Sequence, residues 1–171
     1  FYGMSGARYN EVFFENVRVP AAAMVGEKDR GWYTVAHNLD FERSGIERVV
    51  QGEMLWEEIV QAARELRCVG VSSLRRSVIA HKLADIRTDY QVARNLAYRV
   101  GWMQSQGEVP NHPASVSKLY TSEVGQRAWR VYMQALGYHG TLEREARRAV
   151  LRGKPLRKFL DSVANTIRAG T

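Results

Sequence analysis

Residues 32–66, WYTVAHNLDFERSGIERVVQGEMLWEEIVQAAREL, decide the fold. Side chains of one face recur there at steps of three and four, the spacing of an amphipathic α-helix. The positions on this face are Trp32, Val35, Leu39, Glu42, Ile46, Val49, Glu53, Trp56, Val60 and Ala63. The pattern predicts one long helix that packs against other helices through this stripe.

Similar helical patterns follow along the chain. After a break at residues 70–73 (GVSS), a second helix is predicted over 74–106. A third begins near Asn111 and Pro113 and stops at Gly137, and a shorter one covers 155–167. Three long amphipathic helices joined by short loops, with one shorter helix, predict an all-α fold: an up-down antiparallel four-helix bundle.

The residues before the first helix have a different pattern. Residues 8–19, RYNEVFFENVRV, are rich in Val and Phe and end at Pro20. They predict a strand with a turn at Glu15-Asn16, followed by a connector that reaches Gly31. A short β segment is therefore expected ahead of the bundle.

The composition excludes several classes of protein. Of the 171 residues, 45% are hydrophobic and 25% are charged, which excludes collagen-like, disordered and low-complexity chains. No apolar run approaches the roughly 18 residues of a membrane span. The single Cys68 cannot form an internal disulfide and fits a reducing compartment, so a cytoplasmic location is expected. Because the chain opens on Phe1 rather than Met, we interpret it as part of a longer polypeptide.

Glu42 is the most informative candidate for chemistry. It lies on the apolar stripe, one turn from Leu39 and from Ile46. A carboxylate at such a position is expected to lose water, which suits it to accept a proton near neutral pH. Two other interpretations stay open: Glu42 pairs with an arginine of the bundle, or the stripe is displaced by one residue. Glu53 lies on the same stripe, which shows how readily such a pattern includes a carboxylate.

Three stretches carry a resemblance to a known family. Residues 10–20 (NEVFFENVRVP), 25–32 (VGEKDRGW) and 39–43 (LDFER) are together similar to the junction between the middle β-domain and the C-terminal helical domain of acyl-CoA dehydrogenases. LADI, QALG and the terminal AGT recur farther along at suitable intervals. The resemblance implies that residues 1–30 are the end of the middle β-domain with its connector, and that residues 31–171 are the C-terminal bundle.

The resemblance implies an enzyme, the C-terminal domain of an FAD-dependent oxidoreductase that desaturates an acyl-CoA thioester between its α and β carbons. Most members place the catalytic base just before a late Gly-Thr, where this sequence has Ala169. The branch similar to isovaleryl-CoA dehydrogenase places it within Leu-Asp-x-Glu-Arg, which implies that Glu42 is the catalytic base here. Asp40 and Arg43 match substrate-binding positions near the CoA moiety and the base, although a solvated ion pair would explain them equally.

The family also implies contacts with FAD. Its Arg-x-x-Phe-Gly segment, which reaches the FAD pyrophosphate of a neighbouring subunit, corresponds to residues 66–70 (LRCVG), where Arg67 is displaced by one position and the Phe is lost. Its Gln-x-x-Gly-Gly-x-Gly segment corresponds to residues 134–140, QALGYHG. Tyr138 there replaces a glycine whose missing Cβ would let backbone approach a ligand. The implied cofactor-binding residues are Arg67, Gln134, Gly137 and Gly140.

The implied partners are an acyl-CoA substrate, an electron-transfer acceptor and further subunits, in a homo-oligomer (dimer or tetramer) or a mixed oligomer. Because the flavin segments have diverged, an alternative stays open. In that alternative the chain is a non-catalytic, flavin-poor partner subunit that forms the interface of a mixed oligomer.

The remaining charged and metal-binding residue types give weaker predictions. The four histidines are scattered without ligand spacing, so no metal site is predicted. The chain carries a net charge of +7, and seven cations lie between residues 144 and 158. Such a run suits a solvated face, a nucleotide cofactor or interface, or a nucleic acid. Since no aromatic residues interleave with these cations, we expect no nucleic-acid partner.

Overall fold

The computed structural model of the protein describes Arg8 and residues 10–42, 45–66 and 73–168. Within these residues the regular structure is helical, which confirms the all-α prediction. The five α-helices are α1 (Gly31–Glu42), α2 (Ile46–Leu66), α3 (Ser73–Ser105), α4 (Asn111–Leu136) and α5 (Lys154–Asn165).

Helices α2, α3, α4 and α5 form the bundle, and α4 is its central helix. Helix α4 contacts each of the other four helices. The indole nitrogen of Trp56 donates a hydrogen bond of 2.8 Å to the backbone oxygen of Leu83, and one turn earlier on α2 the backbone of Gly52 lies against the ring of Tyr90. A step toward the N-terminus of α2 thus corresponds to a step toward the C-terminus of α3. The two helices are therefore antiparallel, as predicted.

The core lies where α2, α3 and α4 meet. Its buried apolar residues are Val49, Ile59, Ala62, Leu83, Ile86, Tyr90, Ala93, Ala97, Val124, Ala128, Trp129, Tyr132 and Leu136. Their spacing is that of helices which each bury one face, because burial of an apolar face is what stabilises a helix in a small domain. On α2 the buried face departs from the predicted one by one position, since Ile59 and Ala62 are buried in place of Val60 and Ala63. Gly137 ends α4 at a left-handed φ of 56°, which a glycine adopts without steric cost.

The single long helix predicted over residues 32–66 is wrong in one respect. The structure has two helices there, since α1 ends at Glu42 and Gly45 has a left-handed φ of 72°. Helix α1 packs on α4, yet Trp32 and Tyr33 are 78% and 64% exposed. The helical period is the same on both sides of Gly45, so periodicity alone could not locate the break.

The strand predicted over residues 8–19 is absent as a paired element in the described chain. Residues 10–19 have no ladder partner, and Phe13 and Phe14 are both 79% exposed. A strand becomes regular only through hydrogen bonds to a neighbouring strand, and the described residues place none beside residues 10–19. The predicted turn is present, because Asn16 has a left-handed φ of 52°.

Among the described residues, no helix combines the length and the apolarity that a membrane span requires. The same part of the chain holds no group of three or more His, Cys, Asp or Glu side chains close enough to share a metal ion.

Two buried tyrosines make the free energy of unfolding depend on pH in the alkaline range. Burial raises the pKa of Tyr90 from 10.0 to about 12, and burial raises that of Tyr132 as well. The unfolded chain loses the Tyr90 proton near pH 10, whereas the folded chain keeps it to about pH 12. Stability is therefore complete below pH 10, and about 2–3 kcal/mol is lost as the pH rises through this window. Urea unfolding at pH 8, 10 and 11.5 measures this loss.

Two matched variants distinguish the effect of Tyr90 deprotonation from other effects of high pH on stability. Tyr90→Phe should remove the share of the loss that comes from Tyr90 and keep the share that comes from Tyr132, whereas Tyr98→Phe, at a residue that is 57% exposed, should leave the pH dependence unchanged. An equal change of the pH dependence in both variants would contradict the assignment.

Candidate functional site

Glu42 is the last residue of α1 and lies at one end of the bundle. Its side chain is 51% exposed, and its Oε1 is 3.8 Å from Nη2 of Arg48. The predicted loss of water at Glu42 is therefore wrong for this chain, and the alternative of a pair with an arginine is the arrangement found. The reason is the break before Gly45, which places Glu42 at a helix end rather than on a buried face.

Glu42 borders a groove of about 610 Å³. Helices α2 and α5 form its walls and α4 forms its floor, with Trp129 of α4 and Tyr90 of α3 among the lining residues. The α2 wall runs from Glu47 to Glu58, about 16 Å at the rise of an α-helix. The groove is thus elongated and leads along the bundle to the candidate base.

Polar and apolar groups both line the groove, and the apolar groups contribute the larger share of its surface. Nζ of Lys154 lies 2.6 Å from Oε2 of Glu58 and joins the two walls. Near the other end, Nζ of Lys118 donates a hydrogen bond of 3.3 Å to the backbone oxygen of Thr166. Such a lining suits a ligand that carries amide, hydroxyl or charged groups along an apolar backbone.

The carboxylate of Glu42 can serve as a proton acceptor in this setting. Its pair with Arg48 is long, and both side chains are about half exposed, so the attraction between them is weak. A weak pair can orient the carboxylate without preventing one oxygen from contacting a ligand in the groove.

Glu53, the other carboxylate of the stripe, is buried and has a structural role. It is 5% exposed and is paired with two arginines of α3, Arg94 and, at 3.4 Å, Arg87. Gln91 donates a further hydrogen bond to it. With its oxygens engaged by three side chains, Glu53 is not available as a base.

The residues expected at the flavin lie at the end of α4. Oε1 of Gln134 accepts a hydrogen bond of 2.9 Å from Nζ of Lys82 on α3. A Cβ at Gly137 would meet no atom within 4 Å, whereas one at Gly140 would lie 3.1 Å from the Cβ of Leu136. Gly137 is therefore open to a ligand, and Gly140 is required for close packing.

This end of the bundle fits a phosphate group. An ammonium and a side-chain amide are donors that phosphate oxygens accept well. Tyr138 is 91% exposed, so the residue that replaces the family's glycine does not fill the space beside Gly137. The set Lys82, Gln134 and the backbone near Gly137 is thus compatible with the pyrophosphate of FAD.

Sequence reasoning missed Lys82. Lys82 and Gln134 are 52 positions apart in the sequence, and no local sequence pattern predicts their hydrogen bond.

The structure separates Glu42 from these flavin candidates. Gln134 faces the first turns of α3 through Lys82, and that part of α3 lies beside the later half of α2 through Leu83 and Trp56. Glu42 precedes the start of α2, a helix of 21 residues or about 30 Å. The candidate base and the candidate phosphate site therefore lie at opposite ends of the bundle.

Three of the predicted site residues cannot be placed. The side chains of Asp40, Arg43 and Arg67 lie outside the described part of the chain, as does Ala169. Their predicted roles stay predictions.

The fold and the candidate residues define a helical-bundle domain with a groove beside a carboxylate and, separately, a set of residues that suits a phosphate group. Residues 29–171 match the family model of the acyl-CoA dehydrogenase C-terminal domain. The chain therefore belongs to the acyl-CoA dehydrogenase family, and it corresponds to the C-terminal domain of that family.

Individual relatives agree with this membership. A cyclohexane-1-carbonyl-CoA dehydrogenase of Geobacter metallireducens is 27% identical over 82% of this chain and 38% of its own length. An L-prolyl-[peptidyl-carrier protein] dehydrogenase of Pseudomonas fluorescens is 28% identical over 94% of this chain and 41% of its own. The solved ChsE4-ChsE5 complex of Mycobacterium tuberculosis superposes with a TM-score of 0.75 at 25% identity, over 99% of this chain and 44% of that one. The chain thus spans less than half the length of these relatives.

Proposed function

We propose that this chain is the C-terminal domain of an FAD-dependent acyl-CoA dehydrogenase and that Glu42 is its catalytic base. The observation that carries the proposal is the position of Glu42. It belongs to the Leu-Asp-x-Glu-Arg string, borders the groove and is held only weakly by Arg48. The alternative position for a base, before the late Gly-Thr, holds Ala169.

The reaction requires Glu42 to take one proton. With the thioester bound, an oxygen of Glu42 removes the proton from the α-carbon, and the electron pair of that C–H bond becomes the α,β double bond. Bound FAD supplies the acceptor for the hydride that leaves the β-carbon. Arg48 orients the carboxylate of Glu42 at this end of the groove. Polar side chains along the groove hold the thioester by hydrogen bonds.

The phosphate site at Gln134 and Lys82 is proposed to serve a neighbouring subunit. It lies toward the opposite end of the bundle from Glu42, so we assign the base and the phosphate site to different bound cofactors. The protein is accordingly proposed to act as an oligomer. The similarity to ChsE4-ChsE5, which was solved as a complex, supports such an assembly.

The thioester is carried either by CoA or by a carrier protein. The names of the relatives include both kinds of substrate, a CoA thioester in one and a peptidyl-carrier protein in another.

A second candidate function rests on Tyr138, which stands where the family has a glycine. If the phosphate site is not used, the chain would be a non-catalytic partner subunit of a mixed oligomer. FAD content distinguishes the two candidates, because a partner subunit purified without its companion chain would hold no flavin.

The visible spectrum of the full-length protein tests the proposed function. Anaerobic addition of a panel of acyl-CoA and acyl-carrier-protein thioesters should bleach the flavin band with at least one thioester. A protein with stoichiometric flavin that no thioester bleaches contradicts the dehydrogenase. A colourless protein favours the partner subunit.

A further inference from the structure

The segment between α4 and α5 presents a strongly basic surface. Residues 143–158 hold seven cations and two carboxylates, Glu143 and Glu145. Six of the cations are exposed and are in no ion pair with another described residue. These six, named here the basic surface, are Arg144, Arg147, Arg148, Arg152, Arg157 and Lys158. Elsewhere in the described chain, carboxylates such as Asp89 and Asp161 are paired with arginines.

The backbone beneath the basic surface is fixed. Leu151 is partly buried against the core, while its neighbour Arg152 is exposed. Gly153 is buried, and a Cβ there would lie 2.6 Å from the backbone nitrogen of Arg144. This contact holds Arg144 against the residue that precedes α5, so the cations of the segment belong to a folded connection rather than to a flexible tail.

Part of this arrangement is strained. Leu151, Arg152 and Gly153 have consecutive left-handed φ values of 49°, 54° and 69°. For the two residues that are not glycine, this conformation is sterically unfavourable because of the Cβ atom. Strain of this kind persists where the surrounding structure requires it, and it is concentrated at binding sites. It turns Leu151 inward and Arg152 outward.

The chemistry of the surface limits what can bind there. A second copy of the same surface would be repelled, which disfavours contact between two basic surfaces. The segment holds no aromatic residue between its cations, so it offers no stacking platform for single-stranded nucleic acid. Six cations spread over fifteen residues exceed what one nucleotide cofactor needs. An acidic protein face fits both the number and the spread of these charges.

The basic surface is also continuous with the groove. Lys158 belongs to the surface and lines the groove, and Lys154 beside it spans the walls through Glu58. From there the groove runs along α2 to Glu42. A ligand anchored at the surface can thus extend a polar arm through the groove to the proposed base.

We propose that the basic surface docks the acidic face of a carrier protein, and that the groove takes the phosphopantetheine arm whose thioester reaches Glu42. This inference rests on the proposed function. The arm has a phosphate, amides and hydroxyl groups, which match the cations at the entrance and the polar side chains of the walls. CoA carries the same arm, so only contacts outside the groove distinguish the two carriers.

The test compares one acyl group on two carriers. The full-length flavin-loaded protein is assayed for kcat/KM with an acyl-carrier-protein thioester and with the same acyl-CoA. In the paired variant Arg147→Glu, Arg148→Glu, KM for the carrier-protein substrate should rise at least tenfold, and kcat/KM for acyl-CoA should stay within twofold. The matched control, Arg64→Glu with Arg99→Glu at exposed positions outside the segment, should change neither value.

Calorimetry with unloaded holo-carrier protein separates this inference from the proposed function. If no thioester bleaches the flavin, the proposed function fails, but carrier binding that the Arg147/Arg148 variant abolishes still supports docking. Raising the salt from 50 to 200 mM should weaken this binding. Three results would overturn the inference: no binding at 50 mM salt, an equal loss for acyl-CoA in the variant, or tighter binding of a 20-base-pair DNA duplex than of the carrier protein.

Discussion

Glu42→Gln is expected to lower the rate of flavin reduction by an acyl thioester about 10²- to 10⁴-fold in the full-length protein. The amide keeps the size and shape of the carboxylate but cannot take the α-proton. Because the pair with Arg48 is weak and exposed, its loss should change substrate affinity by no more than about threefold. Stopped-flow bleaching under anaerobic conditions gives the rate, and titration with a non-reducible thioether analogue gives the affinity.

A control variant distinguishes loss of the base from loss of charge on this part of the bundle. Glu57 is exposed on α2 and does not line the groove, so Glu57→Gln should keep the rate within twofold. Reduction by Glu42→Gln at a rate near that of the unmodified protein would show that Glu42 is not the base.

Glu53→Ala is expected to destabilise the domain by about 1–3 kcal/mol, since the two arginines that it leaves are partly exposed to water. The substitution leaves Arg87 and Arg94 without the carboxylate that compensates them inside the bundle. Arg87 also stacks over the ring of Trp56 at 5.5 Å, so its displacement would disturb the contact between α2 and α3. Chemical denaturation of the full-length protein, followed by the helical signal, measures the loss.

Two further variants test the cause of that loss. Glu65→Ala removes an exposed carboxylate of α2, and we expect a change within about 0.5 kcal/mol. Replacing Glu53, Arg87 and Arg94 together by leucine or methionine should recover most of the stability, because an apolar cluster needs no compensation. A loss below about 1 kcal/mol for Glu53→Ala would mean that the buried ion pairs contribute little.

The helices could be predicted from the sequence because each buries one stripe. Val49 and Glu53 are buried, as the predicted stripe of α2 requires, whereas farther along α2 the buried residues are Ile59 and Ala62 in place of the predicted Val60 and Ala63. The break at Gly45 was not predicted, since a glycine inside a helical pattern also occurs without a break, as Gly52 shows within α2. The strand over 8–19 was predicted from residue preference, but pairing depends on a neighbour that local sequence does not reveal.

The candidate site was predictable only where residues adjacent in the chain carry it. Glu42 lies within one short string, and Gln134, Gly137 and Gly140 lie within another. The contact of Lys82 with Gln134, by contrast, depends on how α3 lies against α4. The same holds for the arginines that compensate Glu53, which come from a helix some forty positions away. Contacts of this kind depend on how two helices pack against each other, so they cannot be predicted from the periodicity of one helix.

The apolar side chains that α1 and the preceding segment leave on the surface have a consequence for producing this domain by itself. Phe13, Phe14 and Trp32 each expose more than three quarters of their area. Uncovered apolar surface of this kind favours aggregation. We therefore expect residues 1–171 produced alone to aggregate more readily than the full-length protein, in which the rest of the polypeptide can cover these side chains.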